Sequence, residues 1–293
     1  MYKVSKEHVI YAMNPQNPPV LCVDPKSRIE FETADCFTDQ ITKAADFSGL
    51  DWERINPATG PVYINGAEPG DILAVHIEAI DIACRGVAVV GKGMGVLGHV
   101  LDKTTVKIVD IINGRAHFDE HLSFPLNKMI GVIGTSPTSE SISCGTPCLH
   151  GGNMDCKEIT VGATLYLPVN RPGALLAMGD LHGCMGDGEI GVSGLEVCGK
   201  VTVTVDVIKG SSLPLPMIIN DSKVMALASH EDLDEAVVMA TNNMAQYISQ
   251  LTGRTLDEAA LILSLAGNVK ICQVVDPKKT VRMELSKDYL KTV

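Results

Sequence analysis

Val106-Lys107-Ile108-Val109-Asp110-Ile111-Ile112-Asn113-Gly114 is the stretch that decides the fold class. An apolar, β-branched run ends in Asn-Gly, a pair that accepts φ > 0 at both central turn positions and so gives the strongest short hairpin signal. It reads as a strand, a two-residue turn and a returning strand over residues 116–126. Outward from this hairpin, Pro69-Gly70 marks a turn before a strand over residues 71–80. Residues 200–208, Lys-Val-Thr-Val-Thr-Val-Asp-Val-Ile, alternate Val with Thr or Asp, the period-two pattern of a strand with one buried face. Pro69-Gly70-Asp71-Ile72-Leu73-Ala74-Val75 is echoed by Pro172-Gly173-Ala174-Leu175-Leu176-Ala177-Met178. A common way of feeding a turn into a buried strand explains that echo better than duplication does.

The pattern changes after residue 230. Leu233, Ala236, Val237, Ala240, Met244, Ala245 and Ile248 share one face of a helix predicted over residues 232–251. Thr255-Leu256-Asp257-Glu258 is a capping-box signature opening a second helix that ends near Gly267. Strands are expected around residues 269–275 and 281–285. No Gly/Ser linker or charge run divides the chain, so residues 1–293 read as one domain, a β-rich body with a C-terminal helical layer.

Composition narrows the function. With 293 residues, 45% hydrophobic but only 4% aromatic, the core must be filled by Val, Ile, Leu, Ala and Met. A net charge of −11 argues against nucleic acid or an anionic membrane as the partner. Nine cysteines without a CxxC pair point to a reducing compartment. The N-terminal residues lack the charged head and apolar run of a signal peptide, and no stretch approaches the ~18 apolar residues of a membrane span. A cytoplasmic protein is expected.

Three near-motifs fail on context. Gly93-Met94-Gly95-Val96-Leu97-Gly98 fits GxGxxG, but no room for a helix follows, so no helix N-terminus can face a pyrophosphate. Residues 86–92 offer GxxxxGK, but Gly93 stands where Ser or Thr must bind magnesium. His117-Phe118-Asp119-Glu120-His121 matches HxxEH, which works on a helix; on a strand its histidines would stand roughly 13 Å apart.

One constellation survives. Cys144-Gly145-Thr146-Pro147-Cys148-Leu149-His150-Gly151-Gly152-Asn153-Met154-Asp155 and Gly179-Asp180-Leu181-His182-Gly183-Cys184-Met185-Gly186-Asp187-Gly188-Glu189 set histidine beside acids in both segments. Asp180 and His182, two apart, would project from one face at the end of a strand. Imidazole with carboxylate suits zinc or a similar divalent ion. A turn-rich surface would also gather Gly, Asp and Asn, but it does not require histidine beside acids twice.

The two segments closely resemble the hallmarks of the acetamidase/formamidase family. The resemblance extends to Asn56-Pro57-Ala58-Thr59-Gly60-Pro61-Val62-Tyr63, Gly66-Ala67-Glu68-Pro69-Gly70-Asp71, Gly131-Val132-Ile133-Gly134 and Val274-Val275-Asp276-Pro277. It implies a mainly β fold, an antiparallel β-sandwich body with a C-terminal α/β helical layer. It also implies hydrolysis of short linear amides to carboxylate and ammonia, and a homo-oligomer, a dimer first. Met185 departs from the pattern, since amidase members commonly carry Gln there.

Amide hydrolysis needs an activated nucleophile, oxyanion stabilisation and a proton for the departing nitrogen, and a divalent metal can supply the first two. His150, Asp155, Asp180 and His182 are the expected metal ligands, zinc first and calcium second. Asp35, which resembles a family acid, joins them. Glu189 is expected as general base and then acid, with Asp187 as substitute and Glu140 positioning substrate. The backbone amides of Gly151 and Gly152 are candidate oxyanion donors. Two alternatives stay open: a thiol mechanism through Cys156 or Cys184, and a metal- or ligand-binding protein without turnover.

Overall fold

The computed structural model describes residues 1–291. The hairpin forms as read: Thr105–Ile112 pairs antiparallel with Arg115–His117, and Asn113 and Gly114 take φ of +51° and +75°. The return differs. Instead of one strand over 116–126, the chain turns again at 118–122 and comes back as Ser123–Pro125. Asp119 causes the break, its Oδ1 accepting from the N–H groups of His121 and Leu122, both at 2.8 Å. His117 and His121 are exposed around this turn.

Two large sheets carry the fold. In the nine-stranded sheet, Gly199–Ile208 lies between Arg28–Thr33 and Ile72–Ile82, antiparallel to both. The eleven-stranded sheet holds the hairpin at one end and Leu176–His182 and Met129–Gly134 further in. Most pairings are antiparallel; Tyr2–Val4 with Arg28–Thr33 and Leu21–Val23 with Ala58–Ile64 are parallel. The inner faces meet in one core, where Phe31, Val75, Ile77, Val201 and Val203 from the first sheet pack with Val62, Ile130, Ile133, Met178 and Leu181 from the second. This is a β-sandwich, and the alternation of residues 200–208 is its sequence trace.

The helices cover the far side of the first sheet. Helix α1 (Leu233–Thr252) is capped by Asp232, whose side chain accepts from the N–H groups of Asp234 and Glu235, and ends at Gly253 in the left-handed region. Helix α2 (Leu256–Ala266) starts with the Thr255–Glu258 capping box. Along Lys223–His230, Met225 and Leu227 face the sandwich core, while Val224, Ala226 and Ala228 face the helices with Ala236, Ala240, Met244 and Leu263. Both faces of that strand are therefore apolar. Among the described residues no helix is long and apolar enough to cross a membrane.

The Gly93–Gly98 segment is a loop without a helix, as its context required. The two Pro-Gly echoes feed Ile72–Ile82 and Leu176–His182, which lie in different sheets.

Candidate active site

The site grows from an irregularity in Leu176–His182. In a regular strand residues 178 and 181 would face opposite ways. Here Asp180 takes φ of +55°, and both Met178 and Leu181 enter the sandwich core. Asp180 and His182 gather instead with other acids. Strand pairing places Glu196 directly opposite His182, with Oε2 3.1 Å from Nε2. Asp180 Oδ1 lies 3.5 Å from the same nitrogen, and Asp155 Oδ1 and Glu189 Oε1 each 3.9 Å. All five residues are buried. Asp155 and Glu189 also sit at positive φ, +41° and +47°. Three acids in a backbone region that side chains disfavour are a mark of a functional site.

Glycines make room for this density. A Cβ at Gly131, which lies across from Asp180, would stand 2.5 Å from both Asp155 Oδ1 and Asp180 Oδ2. A Cβ at Gly194 would stand 2.6 Å from His182 Nδ1. Asp276 closes the cluster from the C-terminal segment: Asn153 Nδ2 donates to its Oδ2 at 2.9 Å. That segment is docked by Gly188, whose N–H donates to Cys272 O at 2.9 Å.

The electrostatics follow from crowding acids with little water. Burial, then the neighbouring Asp276 and Asp180, push Asp155 well above its ordinary range. Burial and Asp155 do the same to Glu189, and burial and Glu189 to Asp276. Burial raises Glu196 to about 7 against the opposing pull of His182. For His182 burial opposes the charged ring, but Glu196 and Asp180 overcome it and raise its pKa well above the usual value. Among the described residues no Lys or Arg forms an ion pair with Asp155, Asp180, Glu189 or Glu196.

The donor set fits a divalent cation. Both carboxylate oxygens of Asp155, Oδ1 of Asp180 and Oε2 of Glu196 are buried without a hydrogen-bond partner. Two sets have ligand atoms within 4.8 Å of one another: Asp155, His182 and Glu189, and Cys36, Asp180 and Glu196. Excess buried negative charge, orphaned oxygens and one imidazole are what such an ion requires. The cluster opens into a cavity of about 140 Å³. Its lining includes Asn153, Asp180, His182, Glu189, Glu196 and Asp276, with Phe37, Phe47, Trp52, Ile55, Val89 and Met94 around them. Met94 comes from the glycine loop rejected above as a nucleotide motif.

Of the residues singled out by sequence, Asp155, Asp180, His182 and Glu189 converge. The others do not. Asp35 Oδ1 accepts from the N–H groups of Phe37 and Asp39 at 3.0 and 2.7 Å, and its neighbour Cys36 reaches the cluster in its place. His150 is buried with both ring nitrogens unpartnered; burial and Lys278 lower its pKa to about 4, and it belongs to neither ligand set. Asp187 is held by Arg282 at 2.6 and 2.9 Å and by Lys157 at 2.9 Å, which outweigh its burial and keep it charged. Glu140 is exposed and does not line the cavity. Gly151 donates its N–H to Cys148 O at 3.0 Å, and Gly152 pairs with Ile133 in the sheet, so both glycines serve close backbone packing. Met185 lines a separate apolar cavity with Phe118 and Phe124, on the far side of Glu189. Cys156 is buried beside Cys272, and Cys184 shares the cavity of Met185. Glu196, Asp276 and Cys36 were not picked out for the site from sequence. An acid inside the apolar run Leu195-Glu196-Val197-Cys198 was the available signal for the first.

The chain matches the model of the Acetamidase/Formamidase family over residues 3–145 and 141–288. It is 27% identical to a formamidase of Methylophilus methylotrophus, with 67% of this chain and 63% of that protein covered. It spans just under two thirds of the length of the curated relatives it matches. Among solved structures, an acetamidase from Bacillus halodurans is 44% identical with a TM-score of 0.96, covering 98% of each chain. A predicted acetamidase/formamidase from Thermoanaerobacter tengcongensis is 46% identical, also at 0.96, covering 99% of this chain and 96% of that one.

Proposed function

Because the chain belongs to the acetamidase/formamidase family, we propose that it hydrolyses the C–N bond of linear amides to carboxylate and ammonia at the His182 cluster. One observation carries the reading: four buried carboxylates converge on a single buried imidazole that lines a cavity. Asp155 and His182 of one ligand set and Asp180 of the other would hold a divalent cation, with Glu196 and Cys36 adjoining. Mixed imidazole and carboxylate donors favour zinc over calcium, whose ligands are oxygens. Such a cation supplies Lewis acidity: it polarises a carbonyl and lowers the pKa of water.

The remaining chemistry belongs to the chain. Glu189 lines the cavity, and its raised pKa suits a group that takes a proton from water and returns it to the departing nitrogen. Asp187 and Arg282 fix the loop that presents Glu189. Asn153, tied to Asp276 and lining the cavity, is placed to orient the amide. The same reading takes the protein as a cytoplasmic homodimer; nine free cysteines support a reducing compartment, and light scattering on the purified protein checks the dimer.

Ammonia release from an amide panel, paired with metal analysis of the purified protein, tests the function. Glu189→Gln is expected to lower kcat about 1,000-fold with metal retained, and His182→Ala to lose both metal and turnover. Normal metal content and turnover in His182→Ala would overturn the assignment. The thiol reading has less support. Cys156 and Cys184 do not line the cluster's cavity, and burial, Glu196 and Asp180 raise the thiol of Cys36 well above its usual range. Activity that survives chelation but not thiol alkylation would restore it.

A further inference from the structure

The walls of the catalytic cavity carry more apolar surface than a formyl or acetyl group can use. Phe37, Phe47, Trp52, Ile55, Val89 and Met94 line it above the acids. The chain has only five Phe and one Trp, so half of these residues border this one cavity. Phe47 and Trp52 come from the successive short turns Ala44–Gly49 and Trp52–Arg54 and pack edge to face, with centroids 5.6 Å apart at 89°. Phe37, Val89, Phe47, Ile55 and Met94 belong to one apolar cluster, separate from the sandwich core. Trp52, which lines the cavity, is 54% exposed.

The polarity of the wall is as informative as its size. Its charged residues are the cluster's own acids and His182; among the described residues no Lys or Arg lines the cavity. Asn56 and Ser193 are neutral. An acyl chain ending in a carboxylate would find no counter-charge and would face the cluster's negative field. A neutral apolar chain would find contact on most sides.

Resting on the amidase reading above, we propose that the preferred substrates are primary amides whose acyl group is neutral, apolar and larger than acetyl. Branched alkyl or aryl groups would seat against Phe37, Phe47 and Trp52. The unsubstituted amide group then faces His182 and Glu189, and water cleaves the C–N bond to give the free acid and ammonia.

The test is a kcat/KM series on the purified protein with acetamide, propionamide, isobutyramide, phenylacetamide and succinamate. The expected result is a rise of about fourfold per added methylene, phenylacetamide at least tenfold above acetamide, and succinamate below acetamide. Acetamide equal to or better than isobutyramide and phenylacetamide would overturn the proposal while leaving the amidase reading intact. Trp52→Ala should depress phenylacetamide turnover about tenfold more than acetamide turnover, with Trp52→Phe restoring most of the difference. Trp52 is the only tryptophan, so its emission reports binding independently of chemistry. In Glu189→Gln protein, phenylacetamide should change it saturably at concentrations where acetamide does not. If no amide releases ammonia, the amidase reading fails, and this binding measurement still decides whether the cavity selects apolar acyl groups.

Discussion

Asp155, Asp180 and Glu189 hold φ of +41°, +55° and +47° while sharing one buried imidazole. Each conformation is costly, and so is each buried charge. Gly131 is the hidden partner of this arrangement. Gly131→Ala adds one methyl group 2.5 Å from two of the carboxylates, and kcat/KM should fall about 100-fold, the scale of a 1 Å misplacement. Reduced metal content should accompany the fall; unchanged activity and metal content would refute the steric account. The acids also set a pH dependence. Glu196 is raised from 4.5 to about 7, and burial and their mutual repulsion raise Asp155, Glu189 and Asp276 well above their ordinary values. The folded state therefore binds more protons than the unfolded chain across this range. Stability from these protons is complete below the ordinary carboxylate pKa and is lost as pH rises through the folded values. His182, also raised, acts in the same direction. Chelator-treated protein should thus melt at lower temperature at pH 8 than at pH 5, with Glu196 contributing on the order of 1–3 kcal/mol. Glu196→Gln should flatten the profile. Saturating metal should reverse the slope, since its ligands must be deprotonated. A flat profile in chelator would contradict the described crowding. Asp155, Asp180, His182 and Glu189 stand out in sequence because histidine beside acids is chemically unusual in turns, and the fold brings them together. Asp35 stands beside the cluster, but its Oδ1 accepts within its own turn, a use that neighbouring residues decide.

At the scale of elements, the readable features were those fixed within a few residues. Asn113-Gly114 specified its hairpin, Asp232 and Thr255 the starts of α1 and α2, and the Val alternation of residues 200–208 a half-buried strand. Asp232→Ala or Thr255→Ala should each lower unfolding free energy by about 1 kcal/mol in urea titrations, with amide turnover unchanged because both caps lie in the helical layer. A change in turnover without a change in stability would show that the layer reaches the site. The return of the hairpin departs from the strand expected over residues 116–126 because Asp119 organises its own turn, as Asp commonly does. Leu176–His182 hid its kink for a different reason. Nothing in its sequence announces that Asp180 will leave the β region and gather with acids from other segments.

At the scale of the molecule, the site depends on one buried cation outside it. Arg282, 1% exposed, donates to both oxygens of Asp187 and to Glu284, while Lys157 and Lys223 brace the same acids. It ties Lys279–Ser286 to the loop that presents Glu189. Arg282→Met leaves two carboxylates without their main partner and should cost about 3–5 kcal/mol by urea unfolding. Activity per folded molecule should fall with it, because Asp187 no longer fixes the loop. A loss below 1 kcal/mol would mean that the lysines suffice. Such links lie beyond sequence reading: Glu196 meets His182 through strand register, and Asp276 meets Asn153 across more than a hundred residues. That long reach also orders events during synthesis. Asp155, Asp180, His182, Glu189 and Glu196 leave the ribosome well before Asp276 and the strand bearing Arg282. A nascent chain halted near residue 250 holds most of the acids but lacks the wall that closes over them. Completion of translation, rather than the first appearance of these acids, is then the step that closes the cluster.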